Sequence, residues 1–206
     1  MREGLRAILF LAILGGACGA VMTAAHRLLP KPQASYAERE RIRAILRALD
    51  VPIPPGASTK TLLAAFGGNV RTEQRGDLTV YLLSPLGSGD EIKAVAVPFS
   101  GPGLHGPIRG IVSFEPDART LRTVVVYEHN EMPDLGAQIE TTDFSRRFRG
   151  KAIETGGRAP IRLVRTPMRP NEVHAVTGAT MTSGKVQQML NRTIRRFHRE
   201  WSRHAR

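Results

Sequence analysis

The sequence predicts an α+β fold, an antiparallel sheet packed with helices, preceded by one N-terminal transmembrane helix. Three observations carry this. Strand-like runs follow one another near Leu78–Leu83, Ile92–Phe99, Ile108–Phe114 and Leu121–Tyr127. A long amphipathic pattern then starts near Ser183, with Val186, Met189, Leu190, Ile194, Phe197 and Trp201 at helical spacing. Consecutive strands before a long helix suggest a helix lying on an antiparallel sheet. The third observation is Ala7 to Ala25, which carries no charge. At about 1.5 Å per residue it reaches roughly 28 Å, close to the bilayer core of about 30 Å.

Arg2 and Arg6 flank one end of that segment, and His26 and Arg27 the other. Gly15 and Gly19 form a small-xxx-small pair, a spacing that lets membrane helices approach closely and is also common in membrane helices without such a role. Two other readings stand beside the retained anchor. Thr23-Ala24-Ala25 loosely resembles a signal-peptide cleavage site. Cys18 after Gly15-Gly16-Ala17 loosely resembles a lipoprotein site, with its leucine one place early at Leu14. Charge bias points the other way from a translocated domain, because Arg27, Lys31, Arg39, Arg41 and Arg43 outnumber Arg2 and Arg6. Long domains translocate largely regardless of such charges.

Pro30, Lys31 and Pro32 end the anchor. A second helix is expected over Tyr36–Leu49, with Ile42, Ile45, Leu46 and Leu49 on one face. Val51-Pro52-Ile53-Pro54-Pro55-Gly56 reads as a stiff linker. Ser58 is the expected N-cap of a short helix that Gly67-Gly68 stops. Glu115-Pro116-Asp117 is a turn, so the last two strand runs form a hairpin. A loop at 128–138 follows. Asp143 is expected to cap a short helix to Arg149, and Ile161–Val164 is a further short strand. The chain thus divides into an anchor (1–30), a helix with a Pro-rich linker (31–57) and a globular domain (58–206).

Composition narrows the function. The formal charge is +12. Taken alone it suggests nucleic acid or an anionic membrane. No nucleic-acid motif accompanies it, and aromatics are sparse, so no nucleic-acid partner is expected. A basic face near phospholipid headgroups accounts for the charge more simply. Cys18 is the single cysteine, which excludes an intrachain disulfide, a CxxC redox pair and a thiolate zinc cluster. Glu128, His129 and Glu131 are near neighbours without the spacing of any particular metal, so no metal site is expected. No Ser-His-Asp or Cys-His set is present to argue for a catalytic residue.

The most informative stretch is Val176-Thr177-Gly178-Ala179-Thr180-Met181-Thr182-Ser183. Hydroxyl residues crowd a Gly-Ala pair just before an amphipathic helix. A helix N-terminus offers unpaired N–H groups and the positive end of a dipole, which suits phosphate. A Ser/Thr-rich helix cap is the plainer reading of the same residues. The stretch resembles the flavinylation motif of the FMN-binding subunits of two bacterial respiratory complexes, the sodium-translocating NADH:quinone reductase and the Rnf complex. Three further segments match that family in order. Glu128-His129-Asn130-Glu131-Met132-Pro133-Asp134-Leu135-Gly136-Ala137 resembles its His-x-Glu-Thr-Pro-Gly-Leu-Gly loop. Gly101-Pro102-Gly103-Leu104-His105-Gly106 resembles its Gly-x-Gly-Leu-Trp-Gly turn. Phe148-Arg149-Gly150-Lys151 resembles its Phe-x-Gly-Lys helix end. The chain departs from the pattern at His174 (usually Asp), His105 (usually Trp), Met132 (usually Thr) and Asp134 (usually Gly).

The resemblance, closer to the NADH:quinone reductase member of the pair, implies a covalent FMN esterified through its phosphate to Thr180. It places Thr177, Gly178, Ala179, Thr182 and Ser183 around the phosphate, and Glu131, Leu135, Gly136 and Ala137 against the flavin. Lys185 is a further candidate for the phosphate. The implied role is electron relay within a membrane complex, not a complete enzyme. The implied partners are the other membrane subunits and a flavin transferase. The implied location is the inner membrane, single-pass, with the FMN domain on the periplasmic side. A stand-alone extracytoplasmic electron carrier and a non-redox module that has lost its flavin are the other two readings.

Overall fold

A computed structural model of the chain describes residues 2–28, 32–84, 91–154 and 159–204. It forms two units, 1–38 and 39–206.

The first unit is built on helix α1, Arg2–Leu28. Its apolar side chains are exposed, among them Ile8, Leu9, Phe10, Leu11, Ile13, Leu14, Val21 and Met22. Among the described residues no helix is long and apolar enough to cross a membrane. The expected span runs from Ala7 to Ala25, and the side chains of both end residues lie outside the described ones. Helix α2, Pro32–Ala48, begins in this unit and ends in the second. It starts earlier than the expected Tyr36. Proline suits a first helical position, because the N–H it lacks would be unpaired there anyway.

The second unit is organised by a five-stranded antiparallel sheet in the order β1-β2-β3-β4-β5. The strands are β1 (Val70–Arg75), β2 (Leu78–Leu83), β3 (Ala94–Pro102), β4 (Pro107–Phe114) and β5 (Leu121–Glu128). Four of them sit close to the expected runs. The fifth, β1, reads Val-Arg-Thr-Glu-Gln-Arg and alternates only weakly, because it is an edge strand with most side chains in solvent. A two-residue turn, Gly76-Asp77, pins its register from Arg75↔Leu78 to Val70↔Leu83, and Gly76 takes φ 62°. Arg196 Nε secures that turn by donating to Asp77 Oδ1 at 2.9 Å.

Both faces of the sheet are covered. Val80, Leu82, Val95, Val97, Val112, Phe114, Val124 and Val126 point to one core with the long C-terminal helix α5, Thr180–His204. Tyr81, Leu83, Ala94, Ala96, Ile111 and Val125 point to a second core with Ile42, Ile45, Leu46 and Leu49 of α2 and Leu62 of α3, Thr59–Asn69. That is why the strand runs read as nearly continuous apolar sequence instead of clean alternation. Ser58 caps α3 as expected, accepting from the Thr61 amide at 3.2 Å. Gly67-Gly68 does not stop this helix, which passes through Asn69 directly into β1.

The apolar stripe of α5 is buried as expected from Val186 to Phe197, and Trp201 packs at its edge. Phe114 and Phe197 stack with ring centroids 4.4 Å apart. Gly110 lies in β4 opposite Phe99, beside a register shift. A Cβ there would stand 2.4 Å from the Phe99 ring and 2.6 Å from the Val125 carbonyl oxygen. Gly110→Ala is therefore expected to cost about 2–3 kcal/mol, a Tm lower by roughly 5–10 °C. A thermal melt unchanged from the wild type would show that the sheet absorbs the methyl without strain.

Two local expectations are corrected. Helix α4, Thr142–Arg146, is capped by Thr141, which accepts from the Phe144 amide at 3.2 Å; Asp143 instead pairs with Arg147 in the next turn. Strand β6, Arg162–Val164, has a partner that the sequence did not reveal, the parallel strand β7, Glu172–His174. Buried Asn191 of α5 holds this pair from below, accepting from the Ile161 amide at 2.8 Å and donating to the Ile161 carbonyl at 2.9 Å.

Candidate functional site

In an antiparallel sheet β3 and β5 run the same way, so the segments after both leave at one end. The turn after β3 is closed by Gly103 N donating to Gly106 O at 2.7 Å. The loop after β5 runs from His129 to a 3₁₀ turn, Gly136–Glu140. Strand β7 delivers the Thr177-Gly178-Ala179-Thr180 segment to the start of α5. The helix begins at Thr180 itself, earlier than the expected Ser183, because Ser183 acts as an internal brace. Its Oγ accepts from the Val176 amide at 3.0 Å, and its own amide donates to the Ala179 carbonyl at 2.9 Å.

One side chain joins the three segments. Glu131 is 5% exposed. Its Oε1 accepts from the Leu104 amide at 2.7 Å and the His105 amide at 3.2 Å; its Oε2 accepts from Thr182 Oγ1 at 2.6 Å. His105 Nδ1 lies 3.8 Å from the same carboxylate. Burial alone would push the carboxyl upward. The hydrogen bonds from Thr182 and the two amides, with the His105 charge, outweigh burial and hold it below its ordinary value. The loop is fastened further by the Glu131 amide donating to His129 Nδ1 at 3.1 Å and by His129 Nε2 beside Glu140 at 3.1 Å.

Glycines make this approach possible. A Cβ on Gly103 would stand 2.4 Å from Glu131 Oε1, and one on Gly136 would stand 2.7 Å from Glu131 Cβ and 3.1 Å from Thr182 Oγ1. Gly178 takes φ 80°, and a Cβ there would also press Leu135 at 2.9 Å. Among the described non-glycine residues only Asp50 and Ala118 have positive φ. Asp134 therefore occupies its place in the loop without needing the left-handed region.

The sequence-derived residues sort themselves around Thr180. A cavity of about 210 Å³ is lined by Leu104, His105, Glu131, Met132, Leu135, Gly136 and the run Gly178–Thr182. Leu104, Met132, Leu135 and Met181 form its exposed apolar rim. A second cavity, of about 710 Å³, lies on the other side and shares Gly178 and Thr180; Thr177 lines only this one, together with Asp143, Arg147, Arg165 and His174. Thr177 and Thr180 are exposed, whereas Thr182 and Ser183 are buried with their hydroxyls committed inside the protein. Ala137 and Lys185 line neither cavity; the Ala137 amide closes the loop by donating to Met132 O at 2.9 Å. Arg147 and Arg165 escaped the sequence reading, since neither lies in a matched motif. Among the described residues no group of His, Cys, Asp and Glu is arranged to hold a metal ion.

These residues fit a flavin phosphate. Thr180 offers an exposed hydroxyl at a helix start, where phosphate is favoured. The glycines leave backbone bare beside it, and the smaller cavity is mostly apolar with few polar groups, as flat cofactors require.

Residues 103–195 match the model of the FMN-binding domain. The NqrC protein of the Na(+)-translocating NADH-quinone reductase of Yersinia pestis is 34% identical over 116 residues, covering 54% of this chain and 43% of the relative. That of Vibrio anguillarum is 36% identical over 116 residues, covering 54% and 44%. The chain thus spans less than half the length of these relatives. Among solved structures, Shewanella oneidensis NqrC aligns with a TM-score of 0.62 at 24% identity, covering 75% of this chain and 91% of that one. The corresponding protein of the Na(+)-translocating NADH-quinone reductase from Parabacteroides distasonis aligns at 0.69 with 20% identity, covering 82% and 94%. At these identities the two structures show a shared fold. Over residues 103–195, which contain the glycine turn, the Glu131 loop and the Thr180 helix start, this chain belongs to the FMN-binding domain family.

Proposed function

We propose that this chain is a membrane-anchored flavoprotein subunit. It carries FMN as a phosphoester on Thr180 and relays electrons within an NADH:quinone reductase or Rnf-type complex. The observation that carries the reading is the exposed Thr180 hydroxyl between two cavities, one built from three family segments that meet at Glu131. FMN supplies the electron chemistry. The chain supplies attachment at Thr180, backbone bared by Gly136 and Gly178, and an apolar rim at Leu104, Met132 and Leu135 that keeps water from the ring. A helix terminus at an exposed site contributes only about 0.3–1 kcal/mol, so a covalent bond retains a cofactor that dipole attraction alone would lose. The other subunits and a flavin transferase are the partners this reading requires. Intact-mass spectrometry of the full chain coexpressed with a flavin transferase tests it. One added FMN supports the reading, and an unmodified mass overturns it.

The exposed apolar side chains of α1 support the anchor, with the FMN domain on the extracytoplasmic side as the family resemblance implies. The protein is expected to stay with the membrane through a wash in 1 M salt. Salt screens headgroup attraction to a Debye length of about 3 Å and leaves apolar insertion intact. Release with a new N-terminus near His26 would mean a cleaved signal peptide, and a lipid on Cys18 a lipoprotein; either removes the helical anchor.

A further inference from the structure

The larger cavity beside Thr180 has a different chemistry from the smaller one. Its wall carries Arg147, Arg165 and His174, with Asp143 as its only acidic residue. Arg147 is already engaged. It pairs with Asp143, and its Nη1 donates to the carbonyls of His174 at 3.4 Å and Ala175 at 3.2 Å, which braces the strand leading into the motif. His174 Nδ1 stands 3.0 Å from the Arg165 carbonyl, so its ring ties β7 to the segment after β6. The Arg165 guanidinium is exposed and has no ion-pair partner among the described residues. It is the one cation of this wall that Asp143 does not neutralise.

We propose that Arg165 is the phosphate-binding residue of the flavin site, seating the phosphoryl group held at Thr180 in the larger cavity while the ring occupies the smaller, apolar one. The inference rests on the proposed function and assigns each cavity a part of the same cofactor. The division follows from chemistry. A phosphoryl oxygen gains from a guanidinium with a planar fork of donors. An apolar ring gains nothing there, and gains from the Leu104–Met132–Leu135 rim. Lys185, the cation nearest the motif in sequence, lines neither cavity and is given no part.

The test separates the phosphate from the ring by comparing FMN with riboflavin, which lacks it. The full chain carrying Thr180→Ala, which cannot form the ester, is titrated with each flavin by fluorescence. FMN is expected to bind tighter than riboflavin by roughly fivefold to tenfold, the gain from one charge-assisted contact at an open site. Adding Arg165→Ala should erase that preference with riboflavin affinity unchanged. Adding Arg165→Lys should restore part of it. Arg162→Ala, a nearby arginine paired with Glu172 at 3.0 Å, should leave it intact. An FMN preference that survives Arg165→Ala, or no preference in the first place, overturns the inference while leaving flavin binding in place. Should Thr180→Ala hold neither flavin, the ³¹P resonance of the flavinylated chain decides. It is expected to move on Arg165→Ala and stay on Arg162→Ala, and an unmoved resonance overturns the inference. A wild-type chain with no flavin by mass and no affinity for either one would overturn the functional reading and this inference together.

Discussion

Thr180→Ala is expected to yield protein without covalent flavin, seen as the loss of in-gel flavin fluorescence after denaturation. Thr177→Ala and Thr182→Ala should keep some label. The expectation rests on position. Thr180 and Thr177 are the exposed hydroxyls of the motif, and Thr180 alone borders both cavities. Thr182 cannot replace it, since its hydroxyl is buried and donates to Glu131. Thr182→Ala should therefore act through stability, costing about 1–2 kcal/mol for one buried hydrogen bond to a charged group. Label on Thr180→Ala equal to the wild type would move the ester elsewhere, and Thr177 would be the first residue to examine.

Glu131→Ala is expected to be the most destabilising single change in the site, by roughly 3–5 kcal/mol. It strands two amides and one hydroxyl in a buried position, each a polar group left without its partner. The glycine turn, the loop after β5 and the start of α5 would lose their common tie, so flavin attachment should fall together with the thermal midpoint. Glu131→Gln is milder, near 1 kcal/mol, because its oxygen still accepts from the Leu104 and His105 amides while the Thr182 hydroxyl must turn to accept. Denaturant melts of the three proteins order these effects, and equal midpoints would refute the role of Glu131 as a tie.

The same residue sets a pH signature. The folded carboxyl lies below its unfolded value, so the folded state holds its proton less tightly. The resulting stability is fully present above the unfolded value near 4.5 and is lost as pH falls through the folded value. The Gln variant should show a shallower loss of stability below about pH 4.5 than the wild type. Parallel acid-unfolding curves would show that other carboxylates carry the transition.

Much of this architecture was legible in the chain itself. Apolar periodicity located β2 to β5 and the buried stripe of α5, because both record one-dimensional repeats against a core. The ordered matches around Gly103, Glu131 and Thr180 pointed to a flavin site. Local chemistry was misread where a neighbour in space competed with a neighbour in sequence. Thr141 took the cap expected of Asp143 once Asp143 had Arg147 to pair with. Strands β1 and β7 left little trace, the first because an edge strand can stay polar, the second because it is three residues long and held by a parallel partner. Only the tertiary structure decided that Glu131 closes on Leu104, His105 and Thr182, since residues up to 51 positions apart meet through hydrogen bonds that no spacing encodes. It alone placed Arg165 beside Thr180, because a cavity wall is assembled from side chains of separate segments, while sequence periodicity reports only which face of one segment is buried.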